Sequence, residues 1–219
     1  MKTTTVIQKQ YRLLHISQNL TGKMTGMPAI TSSMLCNDNC TNLKKINNSI
    51  CKKCYTEKYL KYRPFIEKCY EQNTKLLSES IIPIHQLPFI NAAMCRFETF
   101  GDITNPTHLQ NFINIAKKNK HCTFTLFTKN YSIIINYFKN HKQPNNLLIV
   151  ISSLLLNKPF DINKLSNTNI KNIKIFTVYT KQYATQNNII INCGNNRCID
   201  CKRCYQKNKN PIYISEILK

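Results

Sequence analysis

The sequence predicts an α/β domain built on a parallel sheet, and three observations carry that reading. After residue 90, runs rich in β-branched and apolar residues alternate with stretches of helical spacing, the pattern of successive βαβ units. Those runs are apolar almost throughout, as strands covered on both faces are. Glycine and proline number only four and eight, and nowhere gather into a linker, so residues 1–219 are read as one domain. Within it, 1–55 form an N-terminal segment, 56–192 the β/α core and 193–219 a cysteine-rich C-terminal segment.

The elements follow in order. "MKTTTVIQKQYRLLHISQNL" has no apolar core and no cleavage site of the kind a secretory leader needs. No later stretch is long and apolar enough to span a membrane, so no membrane partner and a reducing cytoplasm are expected. One or two strands are expected in the first 50 residues or around "IIPIHQLPFI". "YLKYRPFIEKCYEQNTKLLSES" has helical spacing, with Tyr59, Tyr62, Ile66, Cys69, Tyr70 and Leu77 along one side. "AAMCRFETFGD" reads as a strand closed by a glycine turn, with Arg96, Glu98 and Phe100 on one face. "NPTHLQNFINIAKKNK" opens with a helix-start signal, Asn105 then Pro106, and carries the stripe Leu109, Phe112, Ile113 and Ala116. "CTFTLFTKN" is a strand, "YSIIINYFKNH" a helix despite its branched residues, and "NNLLIVISS" a buried strand. A short helix in "FDINKLSN" and strands in "NIKIFTVYTK" and "NIIIN" complete the core.

Each strand turns polar as it ends: Gly101-Asp102, Thr128-Lys129, Ser152-Ser153, Thr180-Lys181 and Asn192-Cys193. Parallel α/β folds bind ligands at the carboxyl ends of their strands. One such pair is an ordinary loop; five in succession point to a site. The cysteine run after "NIIIN" would then begin on the same face. Glu98 stands out because the chain has only ten acidic residues, and a charged pair just before a glycine turn lines pockets.

The formal net charge is +21. Clustered Lys and Arg release counterions from phosphates, which makes nucleic acid a candidate partner. A lysine-rich genome would give the same excess as a solvated surface, and bound thiolates would offset part of it. The abundance of Asn, Ile and Lys is read as that genomic bias, so single asparagines carry little information.

Eight of eleven cysteines form two groups: Cys36, Cys40, Cys51 and Cys54 near the N-terminus, and Cys193, Cys198, Cys201 and Cys204 near the C-terminus. In a reducing compartment this density argues for metal over disulfides. Gaps of two or three residues let one turn present two sulfurs to one centre. The first group has the two-pair layout of a tetrahedral zinc site. The second, with three cysteines at successive three-residue steps, is nearer a ferredoxin loop, and iron–sulfur is favoured for both groups, more strongly for the second. A zinc ribbon joining Cys51 and Cys54 to Cys201 and Cys204 stays open. Cys69, Cys95 and Cys122 are expected as buried apolar residues, and the five scattered histidines as structural or surface groups. There is no G-x-G-x-x-G, "GKMTG" is not a P-loop, and no Ser/His/Asp order stands out.

Several blocks together resemble the phage gene product 88 family: "CKKCYTEKYLKYRPFIEKCYEQN", "RFETFGD", "TLFTKN", "LIVISS" and the closing "CGNNRCIDCKRCY", in that order. The layout is also similar to radical S-adenosylmethionine (SAM) enzymes. That likeness implies a partial parallel β/α barrel, an N-terminal [4Fe–4S] cluster that chelates SAM through an open iron, and an auxiliary C-terminal cluster. It implies a Gly-acid turn after the second strand, matched by Gly101-Asp102. It makes Arg96, Gly101, Asp102, Thr128, Ser152 and Ser153 candidates for SAM or substrate contacts, and Glu98, Asp102 and Lys129 candidates for catalysis. A flavodoxin or ferredoxin would supply electrons, the substrate being unnamed, and a phage-encoded chain would act in the host cytoplasm. The sequence departs from the radical-SAM C-x3-C-x2-C loop in one respect: ten residues separate Cys40 from Cys51. Cys51 and Cys54 are the expected ligands, with Cys36 or Cys40 as the third. If all four bind, no iron is open and an electron-transfer or structural cluster results. The alternative to an enzyme is a basic module, stabilised by zinc or iron–sulfur, that binds nucleic acid.

Overall fold

A computed structural model describes residues 14–194, 196–207 and 212–218. The leader-free reading of the N-terminus rests mostly on residues outside that range. In chain order the elements are β1 (Ala29–Ile30), α1 (Asp38–Lys45), α2 (Tyr55–Lys61), α3 (Pro64–Glu79), β2 (Met94–Phe97), α4 (Pro106–Lys118), β3 (Thr123–Thr128), α5 (Tyr131–Asn140), β4 (Leu147–Ser152), β5 (Lys174–Tyr179), α6 (Lys181–Gln186), α7 (Cys198–Cys201) and β6 (Ile212–Ile217). The six strands form one sheet in the order β1-β2-β3-β4-β5-β6, every neighbouring pair parallel. The sequential order leaves no switch point of the doubly wound kind. The carboxyl ends of all six strands therefore share one edge.

Register separates the two faces of the sheet. Phe97, Leu126, Ile149 and Ile175 belong to the main apolar core, where Leu109, Phe112 and Ile113 of α4 and Ile134 and Phe138 of α5 meet them. Phe97 stacks on Phe112 and Phe124 at centroid separations of 4.2 and 4.7 Å. The alternate residues, among them Ala29, Met94, Arg96, Thr125, Val150 and Lys174, lie on the opposite face. There a second cluster of Leu20, Met24, Met27 and Ala29 closes over the sheet with Tyr205, Cys198 and Cys204. The turn Arg203–Tyr205 packs on β3 and β4.

Local signals explain most elements. Asn105 caps α4 by accepting from the His108 N–H at 2.9 Å, and Pro106 occupies its first turn. The helix read from Tyr59 onward breaks into α2 and α3 because Pro64 forces Arg63 out of helical geometry, to φ −140° and ψ 64°. The branched run Tyr131–Asn140 is helical, as expected.

Three expectations are corrected and one is narrowed. "NIIIN" is not a strand: Ile190 is 81% exposed, and the chain there runs along the sheet edge while β6 takes the sixth place. Asn192 docks that segment, its amide donating to Tyr213 O at 3.1 Å and accepting from Ser215 N at 3.0 Å. "IIPIHQLPFI" forms turns, with Pro83 and Pro88 excluding ladder hydrogen bonds, and the early strand is β1 instead. "FDINKLSN" holds only the single 3-10 turn Ile162–Leu165. Finally, Arg96, Glu98 and Phe100 do not share a face, because Glu98 adopts a left-handed φ of 58° that ends the alternation of β2. No helix among the described residues is long and apolar enough to cross a membrane.

Candidate metal centres

The loop after β1 carries the first thiol group at the carboxyl edge of the sheet. Asn37 caps α1 by accepting from Asn39 N at 3.0 Å, which sets Cys40 one turn inside the helix. Ser49 caps the 3-10 turn Ile50–Lys53 by accepting from Cys51 N at 3.1 Å, and Cys54 leads into α2. The α1 helix packs on that turn. Cys40 and Cys54 both pack on the apolar cluster of Met34, Leu60 and Tyr70. Burial pushes the Cys40 thiol well up, Asp102 and Cys51 add to the rise, and Lys129 opposes it. Burial also raises Cys51, with Lys129 and the Ser49 hydrogen bond opposing and Cys54 and Asp102 adding. Cys40 and Cys51 therefore share Lys129 as a neighbour, and Cys54 packs with Cys40 on the same cluster. Cys36 is exposed and stands elsewhere, beside Ser33, Glu67 and Glu71.

The turn after β2 supports this edge. Asp102 is buried, and its carboxylate accepts from Thr128 Oγ1 at 2.5 Å, Lys129 N at 2.8 Å and Ile103 N at 2.8 Å. Burial raises its pKa to about 6 against the pull of those hydrogen bonds. Its backbone carbonyl accepts from Asn37 Nδ2 at 2.8 Å, tying the turn to the thiol loop. The Glu98 carboxylate is equally engaged: Oε2 accepts from Ser32 N at 3.1 Å and Ser32 Oγ at 3.0 Å, and Oε1 lies 3.1 Å from His108 Nε2. Gly101 fits between them. A Cβ there would come within 3.0 Å of Ser32 Oγ, Ser32 O and Glu98 Oε2.

The expected contact residues divide. Asp102, Thr128 and Lys129 meet at the thiol loop. Glu98 and Gly101 lie beneath it, turned toward α4. Ser152, at the end of β4, accepts the Tyr131 hydroxyl at its carbonyl, 2.8 Å. Ser153 Oγ is engaged with Thr177 Oγ1 and Phe160 N, both at 2.9 Å, and holds the β4–β5 connection. Arg96 belongs to the other centre.

That second centre lies over the sheet face away from the main core. Cys193, Cys198, Cys201 and Cys204 line one cavity of about 160 Å³ with Lys23, Lys202, Arg203 and Tyr205. Cys198 and Cys201 are the two ends of the single turn α7, and Lys202, at φ 53°, reverses the chain so that Cys204 returns to the same space. Burial raises the Cys193, Cys198 and Cys204 thiols, the last to about 12, while Lys23 or Arg96 pulls each of them down. Lys23 Nζ lies 3.7 Å from Cys193 Sγ and pairs with Glu216. Arg96 stacks on Phe127, 3.7 Å from the ring centroid, and donates to Glu98 O at 3.3 Å. Lys174, fully buried on this face, is lowered by burial, with Cys204 opposing. Lys23, Arg96 and Lys174 thus stand near four thiols whose cavity is also lined by Lys202 and Arg203, with Glu216 paired to Lys23.

The ribbon pairing of Cys51 and Cys54 with Cys201 and Cys204 is not the arrangement adopted: each pair sits among the cysteines of its own group. Cys95 and Cys122 are buried core residues as expected, and Cys69 is half-buried. Sequence reading missed Lys23, inside the dismissed "GKMTG", and Lys174, inside an apolar strand. It also set aside His108, whose one signal was its place on the inward face of α4. Among the described residues, no three His, Cys, Asp or Glu side chains are grouped as a single metal ion requires. A zinc tetrahedron with bonds of about 2.3 Å needs its sulfurs about 3.8 Å apart. A four-iron cluster takes one thiolate per iron and so a wider spread.

A family model described as Gene product 88 matches residues 2–211. No curated protein and no solved structure matches the chain.

Proposed function

The chain belongs to the gene product 88 family, and on that footing we propose that it is an iron–sulfur protein of radical-SAM-like design. The carrying observation is the packing at the carboxyl edge of the sheet: α1, with Cys40, lies on the turn that holds Cys51, Cys40 and Cys54 pack on one apolar cluster, and Cys36 is exposed. Three thiolates on a four-iron cluster leave one iron without a protein ligand. The donor set fits such a cluster: three soft thiolate ligands, with a cation nearby to offset their charge. Six parallel strands in sequential order are an arrangement that a partial β/α barrel also has, which supports this reading. When bound, the cluster and SAM together supply one-electron cleavage of the sulfonium to a carbon radical, given an external donor of the flavodoxin or ferredoxin kind.

The chain's own residues do the rest. Asp102, saturated by three donors, fixes the ends of β2 and β3 and thereby the Lys129 backbone. Gly101 admits the close approach of that turn to Ser32. Phe100, stacked between Tyr59 and Tyr70 at 4.6 and 5.7 Å, packs beside the thiols and excludes water. The second thiol group would hold an auxiliary cluster, with Lys23, Arg96 and Lys174 as its counter-charges. Its cavity, of about 160 Å³, is roomier than a single ion needs.

The test is anaerobic reconstitution with iron and sulfide, followed by absorbance near 400 nm and EPR. Protein carrying Cys198→Ala and Cys201→Ala isolates the first centre. In that background Cys36→Ser is expected to keep the chromophore and Cys51→Ser to lose it. Adding SAM is expected to change the EPR signal of the reduced protein. A colourless protein with stoichiometric zinc sinks the proposal. Loss of the chromophore with Cys36→Ser, and no response to SAM, would instead make the centre a fully ligated electron-transfer cluster.

A further inference from the structure

We infer that the α2–α3 corner is a docking platform for single-stranded nucleic acid. The inference goes beyond the metal chemistry and does not depend on it. Residues 52–68 carry six cations in seventeen positions, Lys52, Lys53, Lys58, Lys61, Arg63 and Lys68, against 31 in 219 for the chain, so the density more than doubles here. All six are exposed. The two carboxylates of the stretch are occupied: Glu57 pairs with Lys44, and Glu67 accepts the Ser33 hydroxyl. The corner therefore presents a clear excess of cations, six against Glu57, Glu67 and the nearby Glu71. A genome-wide lysine bias does not explain a local excess of this size.

The rings on this corner point to the class of anion. Tyr55, Tyr62 and Phe65 are 63%, 69% and 75% exposed. The aliphatic residues of the same helices turn inward: Leu60 is buried and Ile66 partly so. A surface made for a folded protein partner would show the aliphatic residues as well. One that shows planar rings among cations suits unstacked bases, which stack on aromatic faces while their phosphates meet Lys and Arg. The Arg63 guanidinium already lies over the Tyr59 ring, 4.1 Å from its centroid, the plane-on-plane contact a base would extend. Tyr55 is held rigidly, its hydroxyl donating to Thr99 O at 3.1 Å, so the platform borders the turn that carries Asp102. A strand lying on it would pass the first thiol group.

Fluorescence anisotropy of the full-length protein with a labelled single-stranded oligonucleotide of about 16 nucleotides tests this. Tyr62→Ala and Phe65→Ala, both on the surface and so without effect on folding, are each expected to weaken binding about fivefold or more with the salt dependence unchanged. Lys58→Gln with Lys61→Gln is expected to make the slope of log affinity against log salt shallower by about 0.7 per lost contact. A duplex of the same sequence should bind more weakly. The inference fails if only the lysine changes matter, which would mean charge adsorption alone. It fails if the duplex binds as well as the single strand. It also fails if the protein sediments as a dimer that Phe65→Ala dissociates, since a second copy would then cover the rings. Binding by protein lacking both thiol groups would still support it.

Discussion

Gly101→Ala is the most informative single change at the thiol edge, because its cost can be worked from the geometry. The added methyl would lie within 3.0 Å of three atoms: Ser32 Oγ, Ser32 O and Glu98 Oε2, the last at 2.7 Å. None can yield cheaply. Ser32 O is backbone just after β1. Ser32 Oγ is itself 3.0 Å from Glu98 Oε2 and 3.2 Å from Asp102 O. Glu98 Oε2 accepts from Ser32 N as well, and its partner oxygen abuts His108. Overpacking a tight interior costs about 1–3 kcal/mol, and three immobile neighbours put this case near the top, at about 3 kcal/mol. For a chain of this size each kcal/mol lowers the melting temperature by about 2–4 °C, so a fall of about 6–12 °C is expected by circular dichroism. Gly22→Ala is the control. Gly22 has a φ of 65° with nothing within 4 Å of a Cβ, so only the backbone penalty of about 1 kcal/mol applies. A Gly101→Ala melting point within about 2 °C of the wild type would refute the reasoning, as would an equal loss from Gly22→Ala.

Three further outcomes follow from the same geometry. Asn105→Ala removes the cap of α4 and the amide bond to Ser78 O, and should lower stability by about 1 kcal/mol, read as a shift of the urea midpoint with unchanged slope. Asn119→Ala should cost more, about 3 kcal/mol, because its amide accepts from Ile90 N and donates to Pro88 O and Ile115 O, leaving buried backbone groups unpaired. Thermal melts of the two variants side by side test the ranking, and an Asn119→Ala milder than Asn105→Ala would contradict it. Lys174→Met should raise the melting temperature of metal-free protein, since the buried ammonium has one long hydrogen bond, 3.5 Å to Asn172 O. A lower melting temperature would mean that Lys174 is better compensated than its contacts indicate.

Much of the scaffold was legible in the sequence because it depends on local signals. The apolar runs at Thr123–Thr128 and Leu147–Ser152 are strands because burial on both faces selects such composition. Asn105-Pro106 starts a helix because cap and first turn are set by neighbouring residues. What the sequence concealed depends on contacts distant in the chain. "NIIIN" and "IYISEI" are equally strand-like alone, and only the edge of β5 decides between them, pairing Ile175 with Tyr213 and Thr177 with Ser215. Asparagines discounted as compositional bias are structural fasteners. Asn73, Asn111 and Asn119 are buried, and each bridges backbone groups of separate segments, as Asn111 does with Ile82, Leu77 and Ser80. No periodicity marks such a residue, since its role is fixed by segments 29 to 58 positions away. The division of the first cysteine group is a similar case. Spacing alone did not tell Cys36 from Cys40, and the α1 fold separates them by packing Cys40 against the turn that holds Cys51 while Cys36 stays exposed.

The left-handed residue Glu98 organises both centres, which is the deeper reason the face-sharing expectation failed. Had β2 continued its alternation, Arg96 and Glu98 would have formed one charged patch and neutralised each other. The kink at φ 58° sends the two side chains apart. Arg96 is left free to offset Cys198 and Cys204 on one side of the sheet. The Glu98 carboxylate turns to Ser32 and His108, fixing the start of the loop that carries the other thiols. The contact that remains between them is Arg96 Nε to the Glu98 carbonyl, which ties the guanidinium to the kink itself. A strained backbone at a buried carboxylate is sustained only where its surroundings over-determine it, and here five partners do so: Ser32 N, Ser32 Oγ, Thr31 Oγ1, His108 and Arg96. One residue thereby assigns a cation to the C-terminal thiols and a rigid base to the N-terminal ones, so the two centres are held by a shared element of β2 although they lie on different parts of the sheet.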